Sequence, residues 1–245
     1  MRYAVLLLLV VFTTLAQAAD YAREKQWADE IIPTIVVGEP LYLGAAGHRF
    51  LSLLTLAPHA RAAVVLIHGM GVQPNWGLIG VLRTRLPDAG YTTLSIQMPV
   101  LARGAKADAY TSTFGEAGQR IAAAIHFLQR KGYQKIAVVS HSMGSRMADH
   151  YLSRHPAAPL AAWVAIGMPG RFSSGLRHGR FPVLDLFGEE DQPAVLHGAA
   201  QRAEVMRARQ GSAQIMVPGA DHFFDGRDDM LVRDVQAFLD RAVGG

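Results

Sequence analysis

The chain contains no cysteine. That excludes disulfide staples, and it excludes the lipid-modified cysteine that would anchor an exported protein at its amino terminus. Charged residues are sparse at 18%, and the 24 Lys and Arg are scattered among 20 Asp and Glu rather than gathered into a stripe. A nucleic-acid face needs such a stripe. Nucleic acid is therefore excluded as a partner, and the formal charge of +4 reads as a solvated surface with a slight basic bias. No apolar run reaches the roughly 20 residues that cross a bilayer. The longest runs from Ala4 to Val11, trails to Leu15, and is followed at once by Asp20, Arg23, Glu24 and Lys25. Repeats, low-complexity tracts and long linkers are missing too.

What is present begins with an export pattern. MRYAVLLLLVVFTTLAQAAD places Arg2 before the apolar run and small residues at Ala16 and Ala18 after it, the arrangement of a cleaved signal peptide. Residues 1–18 are expected to leave and residues 19–245 to form the mature domain, periplasmic or secreted, with no stable membrane insertion after cleavage. Loss of Arg2 lowers the formal charge to about +3. A cysteine-free chain suits the oxidising space on the far side of the membrane.

With 245 residues, half of them hydrophobic, the chain can bury one sizeable core but is short for two. YAREKQWADEIIPTI reads as a short helix or packed arm, and LYLGAAGHRFLSLLTLAP as an antiparallel hairpin around a Gly turn. AAVVLIHG, TTLSIQMP, KIAVVSHS, LAAWVAIGMP, FPVLDLFG and AQIMVPGAD follow as short apolar runs, each ended by Gly, Pro, Ser or Asp, of the kind buried on both faces. Helical patterns separate them: WGLIGVLRTRLPDAG, GEAGQRIAAAIHFLQRKG, MGSRMADHYLSRHP, PAVLHGAAQRAEVMRARQG and DDMLVRDVQAFLDRAV. Strict alternation predicts an α/β fold, a mostly parallel sheet with helices on both faces. Ligands in such sheets bind beyond the carboxyl ends of the strands. The stretch MPGRFSSGLRHGR is too short to insert a helical lid.

The residues after the strands carry the chemistry. VVSHSMGS puts Ser142 between a strand and a helix, with Gly144 two positions on, the setting of a nucleophile elbow. Ser140 stands where the first Gly of G-x-S-x-G is usual, so the chain reads S-x-S-x-G. A bland alternative exists, in which Ser140 or Ser142 simply caps the helix. A serine nucleophile needs a base. His222, in VPGADHFF, follows a strand through a Gly turn and fills that place better than the adjacent His141 or the loop residues His178 and His197. The base needs a carboxylate to orient it. Asp191 in VLDLFGEEDQPA supplies one, with Asp185 as the alternative if its strand ends early. The order Ser142, Asp191, His222 is that of α/β-hydrolases. In VVLIHGMGVQPNWG, Gly69 and Gly71 let the chain turn so that the Met70 N–H points at the site, and Met143 follows the serine. These two are the candidate oxyanion donors. His68 is expected to hold that loop through a ring hydrogen bond. Trp76, Met98 and Met168 fall near strand ends and are candidates for an apolar acyl pocket, or alternatively ordinary core.

Taken together these residues resemble the α/β-hydrolase-fold superfamily over nearly the whole mature length. HGMGVQPNWGLIG with LRTRLPDAGYTTLSIQMPVLA resembles, more narrowly, a family of exported proteobacterial proteins within that superfamily, defined as a domain of unknown function. The resemblance implies a Ser142, Asp191, His222 triad with Met70 and Met143 as oxyanion donors, no cofactor and no metal. The narrower family brings no known substrate, but an intact triad favours a serine hydrolase of small-molecule acyl substrates, a carboxylic ester or thioester cleaved through an acyl-enzyme. Two other classes stay open, a non-catalytic periplasmic binding or accessory protein on the same fold and an acyltransferase. Amino-terminal sequencing of the exported protein is expected to begin near Ala19; an intact Met1 in a membrane fraction would refute cleavage.

Overall fold

The computed structural model describes residues 19–244; the expected signal peptide lies outside them. Asp20 caps the first helix, α1 (Tyr21–Ile31), its carboxylate accepting the Arg23 N–H at 3.0 Å. The chain then forms a hairpin of β1 (Glu39–Ala45) and β2 (His48–Thr55). Its turn residues Ala46 and Gly47 both have positive φ, as a two-residue hairpin of the right twist requires.

Strand and helix alternate from there: β3 (Ala62–Ile67), α2 (Gly77–Arg85), β4 (Tyr91–Ile96), α3 (Phe114–Arg130), β5 (Ile136–His141), α4 (Met143–Leu152), β6 (Ala162–Ile166), β7 (Val183–Gly188), α5 (Pro193–Leu196), α6 (Ala199–Arg207), β8 (Ala213–Val217) and α7 (Asp228–Gly244). Each apolar run became a strand. The single helix expected over PAVLHGAAQRAEVMRARQG is two, divided at His197 and Gly198.

The sheet runs β1-β2-β4-β3-β5-β6-β7-β8. The first two pairings are antiparallel and every pairing from β4 to β8 is parallel. The twofold period of a strand sends alternate side chains to opposite faces. Val65 and Ile67 of β3 accordingly pack with α3 and α4, while Val64 and Leu66 pack with α2 and α7. β3 through β7 are buried on both faces. β8 is not, contrary to the expectation from its apolar run. It ends the sheet, and of its residues only Val217 is buried.

Two segments that might have covered the carboxyl edge of the sheet are tied elsewhere. The β6–β7 connection, residues 167–182, contains one 3₁₀ turn, Ser174–His178, with Phe172 and Leu176 buried. It is held down by Ser173, which bonds Asp149 through N–H and hydroxyl, and by Arg209, which donates to the Leu176 carbonyl at 2.8 Å. α1 docks beside the end of β4 through a buried ionic cluster, in which Arg120 of α3 bonds Glu24 at 2.8 Å and Glu116 at 2.5 Å. The connection is minimal, as expected. Among the described residues no helix is long and apolar enough to cross a membrane.

Candidate active site

β5 lies at the middle of the sheet, between β3 and β6. Its last residue leads into Ser142, whose φ is +54°, a region costing a non-glycine residue about 1–3 kcal/mol. The strain comes from the abruptness of the turn: α4 starts at the very next residue and folds back onto β3. Gly144 makes that possible, because a Cβ there would run into the carbonyl oxygen of His68 and the side chain of Ile67. Ser142 itself stays partly exposed between buried neighbours.

The serine at position 140, where glycine is usual, has a partner. Trp163 of β6 is fully buried and its indole N–H donates to Ser140 Oγ at 2.8 Å. Ser140 Oγ in turn lies 3.0 Å from Ser145 Oγ and 3.3 Å from the Val164 carbonyl, either of which accepts its proton. A buried indole N–H without an acceptor would cost about 1–3 kcal/mol. The departure from glycine therefore satisfies a large core residue directly under the elbow.

Three strand ends contribute the rest. Asp191 follows β7 and His222 follows β8, so both loops must reach back across the end of β6 to meet Ser142. Gly167, the first residue after β6, leaves that path open. It has φ +52°, and a Cβ there would lie 3.1 Å from the His222 ring and 3.3 Å from Asp191 Oδ2. With the path clear, Ser142 Oγ is 2.9 Å from His222 Nε2, and His222 Nδ1 is 2.6 Å from Asp191 Oδ1. Asp191 is buried and also accepts the Gln192 N–H at 2.7 Å, which fixes its carboxylate. Since a carboxylate only accepts, His222 carries its proton on Nδ1 and offers the Nε2 lone pair to the serine hydroxyl. Asp185, the alternative carboxylate, is occupied. Both its oxygens lie 2.9 Å from Arg202 Nε, Gln214 Nε2 donates to it at 2.7 Å, and Asp185 and Arg202 are fully buried.

Backbone donors face the same point. A Cβ on Gly69 would lie 3.3 Å from the Ser142 Cβ, so the loop after β3 touches the elbow. His68 sets its orientation. The Met98 backbone N–H and the Gln97 side-chain amide donate to its Nε2 at 2.8 and 3.1 Å, leaving the Nδ1 proton for the Gly69 carbonyl at 2.8 Å. The peptide is trans, so fixing the Gly69 carbonyl fixes the Met70 N–H on the opposite side. Beyond it, Arg23 of α1 donates to the Gly71 carbonyl at 3.4 Å and to the Leu101 carbonyl at 2.7 Å. The loop is thus braced on both flanks of Met70. Met143 is the first residue of α4, where helical N–H groups lack an internal acceptor. Among the described residues, neither the Met70 nor the Met143 N–H has a hydrogen-bond partner.

A cleft of about 120 Å³ opens at Ser142, lined by Met70, Val72, Trp76, Gln192 and Phe223. Trp76 stands where the sequence suggested. Met98 and Met168 do not, and this corrects the pocket expected from sequence. Both follow strands, but their side chains are buried in the layer beneath α3 and α4. Neither α1 nor the β6–β7 connection supplies a wall of the cleft.

His141 has more to do here than its place beside the serine suggested. Its Nε2–H donates to the His222 carbonyl at 3.0 Å, and the two ring centroids are 4.8 Å apart. Burial lowers its pKa to about 3, and burial lowers that of His68 to about 4. Both rings are neutral at physiological pH, and for His68 the bonds accepted at Nε2 require it. Phe223, Gln192 and Gly167 were likewise passed over in sequence. Gly167 left a signal, a glycine at the end of an apolar run; the other two did not.

The sheet, the elbow and the Ser142–His222–Asp191 line define an α/β-hydrolase-fold protein. The chain matches, over residues 38–117 and 104–241, the profile described as "Protein of unknown function (DUF3530)", and it belongs to that family. Solved structures share the fold at low identity. A protein of unknown function from Agrobacterium tumefaciens, described as a candidate α/β hydrolase, is similar with a TM-score of 0.68 at 20% identity over 84% of this chain and 97% of that one. A dienelactone hydrolase from Anabaena variabilis gives 0.67 at 18% identity over 82% and 96%. A proline iminopeptidase from Mycobacterium smegmatis gives 0.66 at 12% identity over 84% and 99%. No curated protein matches the chain in sequence.

Two outcomes follow for stability. An unfolded histidine titrates near 6.5, well above the folded values of His68 and His141, so the unfolded chain binds more protons as the pH drops. Stability should be full above pH 6.5 and fall toward pH 4 by about 1.4 kcal/mol per pH unit for each ring. Urea midpoints between pH 6.5 and 5 measure this, and His141→Gln should flatten the slope; a level wild-type profile would contradict neutral buried rings. Asp185→Asn should cost about 3–5 kcal/mol by stranding the buried Arg202, whereas Asp191→Asn, whose partner is a neutral imidazole, should leave the unfolding free energy within about 1 kcal/mol of wild type.

Proposed function

We propose that this chain is an exported serine hydrolase that cleaves a carboxylic ester or thioester through an acyl-enzyme. The observation that carries the proposal is the line from Ser142 Oγ to His222 Nε2 to Asp191, at 2.9 and 2.6 Å, mounted on a strained strand-to-helix turn. Strain at a partly exposed serine has to be maintained by the surrounding fold, and it concentrates where a side chain must be presented.

In this reading Ser142 Oγ attacks the acyl carbon while its proton passes to His222 Nε2. Asp191 holds the ring in the required tautomer and stabilises the imidazolium. The developing oxyanion is met by the Met70 and Met143 N–H groups, each worth about 3–4 kcal/mol when such a donor is removed. His222 then returns the proton to the departing alcohol or thiol, and water, activated by the same ring, hydrolyses the ester to Ser142. Among the described residues neither α1 nor the β6–β7 connection lines the cleft, so water reaches the ester in this last step. The small cleft supports a compact acyl group.

A fluorophosphonate should label Ser142. Ser142→Ala should remove both labelling and turnover of p-nitrophenyl acetate, and Asp191→Asn should lower kcat by about 10³- to 10⁴-fold with the fold intact. Labelling retained in the alanine variant would move the nucleophile elsewhere. No labelling of the wild type would favour a binding protein built on the same fold.

A further inference from the structure

Resting on the acyl-hydrolase reading, we infer that the substrate carries a planar aromatic ring next to its scissile bond, seated in the corner between Trp76 and Phe223. The two rings stand almost perpendicular, with centroids 5.4 Å apart and an interplanar angle of 82°. Trp76 is 40% exposed and Phe223 39%. A perpendicular pair left open to solvent forms a corner in which a third planar group stacks on one ring and presents its edge to the other. Both are geometries that aromatic quadrupoles favour.

The same wall continues inward. Phe223 lies edge-on to the His222 ring at 5.1 Å, and His222 is 4.8 Å from His141. A line of rings therefore leads from the rim to the base that accepts the serine proton. Nine large hydrophobic side chains are exposed among the described residues, and three of them, Met70, Trp76 and Phe223, line this one cleft. Apolar surface of that kind is left uncovered where something binds.

Size points the same way. An enclosed cavity of about 150 Å³ takes up benzene. A cleft of about 120 Å³ is of the size to hold one six-membered ring. Among the described residues no Lys, Arg, Asp or Glu contributes to its walls, which fits a ring uncharged near the reacting carbonyl.

An apolar corner would also accept a saturated ring, and the experiment is built on that difference. Methyl benzoate is compared with methyl cyclohexanecarboxylate, and phenyl acetate with cyclohexyl acetate, in wild type, Trp76→Leu and Phe223→Leu. Intrinsic reactivity cancels when the aromatic-to-saturated ratio of kcat/KM is compared between variants. The ratio should fall about two- to tenfold in each leucine variant, the worth of one aromatic contact beyond its buried area. The first pair of esters reports on the acyl side and the second on the leaving group, and a fall in either supports the corner. Turnover retained with both ratios unchanged would overturn it, the rings then supplying apolar area alone.

A second arm does not need turnover. Dissociation constants of benzamide and cyclohexanecarboxamide for Ser142→Ala, followed by NMR titration, should favour benzamide by a similar factor, and the added Trp76→Leu change should erase that preference. If no ester is turned over and Ser142 is not labelled, but the benzamide preference holds, hydrolysis fails and the aromatic site stands. If neither amide is preferred, the aromatic site fails whatever the outcome for hydrolysis.

Discussion

The site depends first on how tightly α4 is folded back on β3. Ser142 is held at φ +54° only because Gly144 lets the first turn of α4 rest against the His68 carbonyl, with Ile67 alongside. That contact joins the elbow to the loop after β3, so the hydroxyl of Ser142 and the N–H of Met70 are positioned by one packing event. The cost of the turn, about 1–3 kcal/mol, is offset by strands β3, β5 and β6, which are buried on both faces and cannot yield without opening the core. Ser140 adds to this rigidity, because its hydroxyl ties the elbow to the indole of Trp163 on the next strand.

Around this centre the loops are held by polar groups in an otherwise apolar setting. His68 is neutral because it is buried, and its neutrality lets Nε2 accept two N–H groups while Nδ1 donates to the Gly69 carbonyl. Outside the loop, α1 contributes Arg23 to the Gly71 carbonyl. α1 is kept there by Glu24 and Arg120, a buried ion pair whose members are expensive to desolvate and costly to separate. Arg120 also donates to the Gln97 carbonyl at 2.9 Å, and the Gln97 side chain reaches His68. The ionic cluster and the loop carrying Met70 thus belong to one network. The opening helix of the described chain is a brace for the site and not its cover.

On the far side, Arg202 does comparable work. It bonds Asp185, the Gly170 carbonyl at 2.7 Å and the Val195 carbonyl at 3.0 Å. These contacts connect β7 with the connection after β6 and with α5, the segments on either side of Asp191. Two acidic residues six positions apart therefore have separate duties: Asp185 holds scaffold, Asp191 orients a ring. The division follows from burial and partners, since one meets a guanidinium in the core and the other an imidazole at the cleft.

Much of this was legible in the residues alone, because it is local. Alternating apolar runs and helical patterns dictate a parallel sheet, and a parallel sheet places whatever follows its strands at one edge. That was enough to select Ser142, Asp191 and His222 from their positions after strands, and to assign His68 to the loop. The residues that escaped, or were misplaced, depend on contacts between distant segments. Met98 and Met168 follow strands like Trp76, but whether such a side chain turns down into the core or up into a cleft is set by the helices packed beneath it, which spacing along the chain does not encode. His141 and Phe223 acquire their roles only when the loop after β8 is laid across the end of β6, which the missing side chain of Gly167 permits. Asp185 stayed an alternative to Asp191 until Arg202, from a helix further along the chain, was seen to take it. Local periodicity and turn-forming residues set the order of elements and the chemistry available at the edge of the sheet. Tertiary structure decided which side chains meet there, because that depends on where distant segments come into contact.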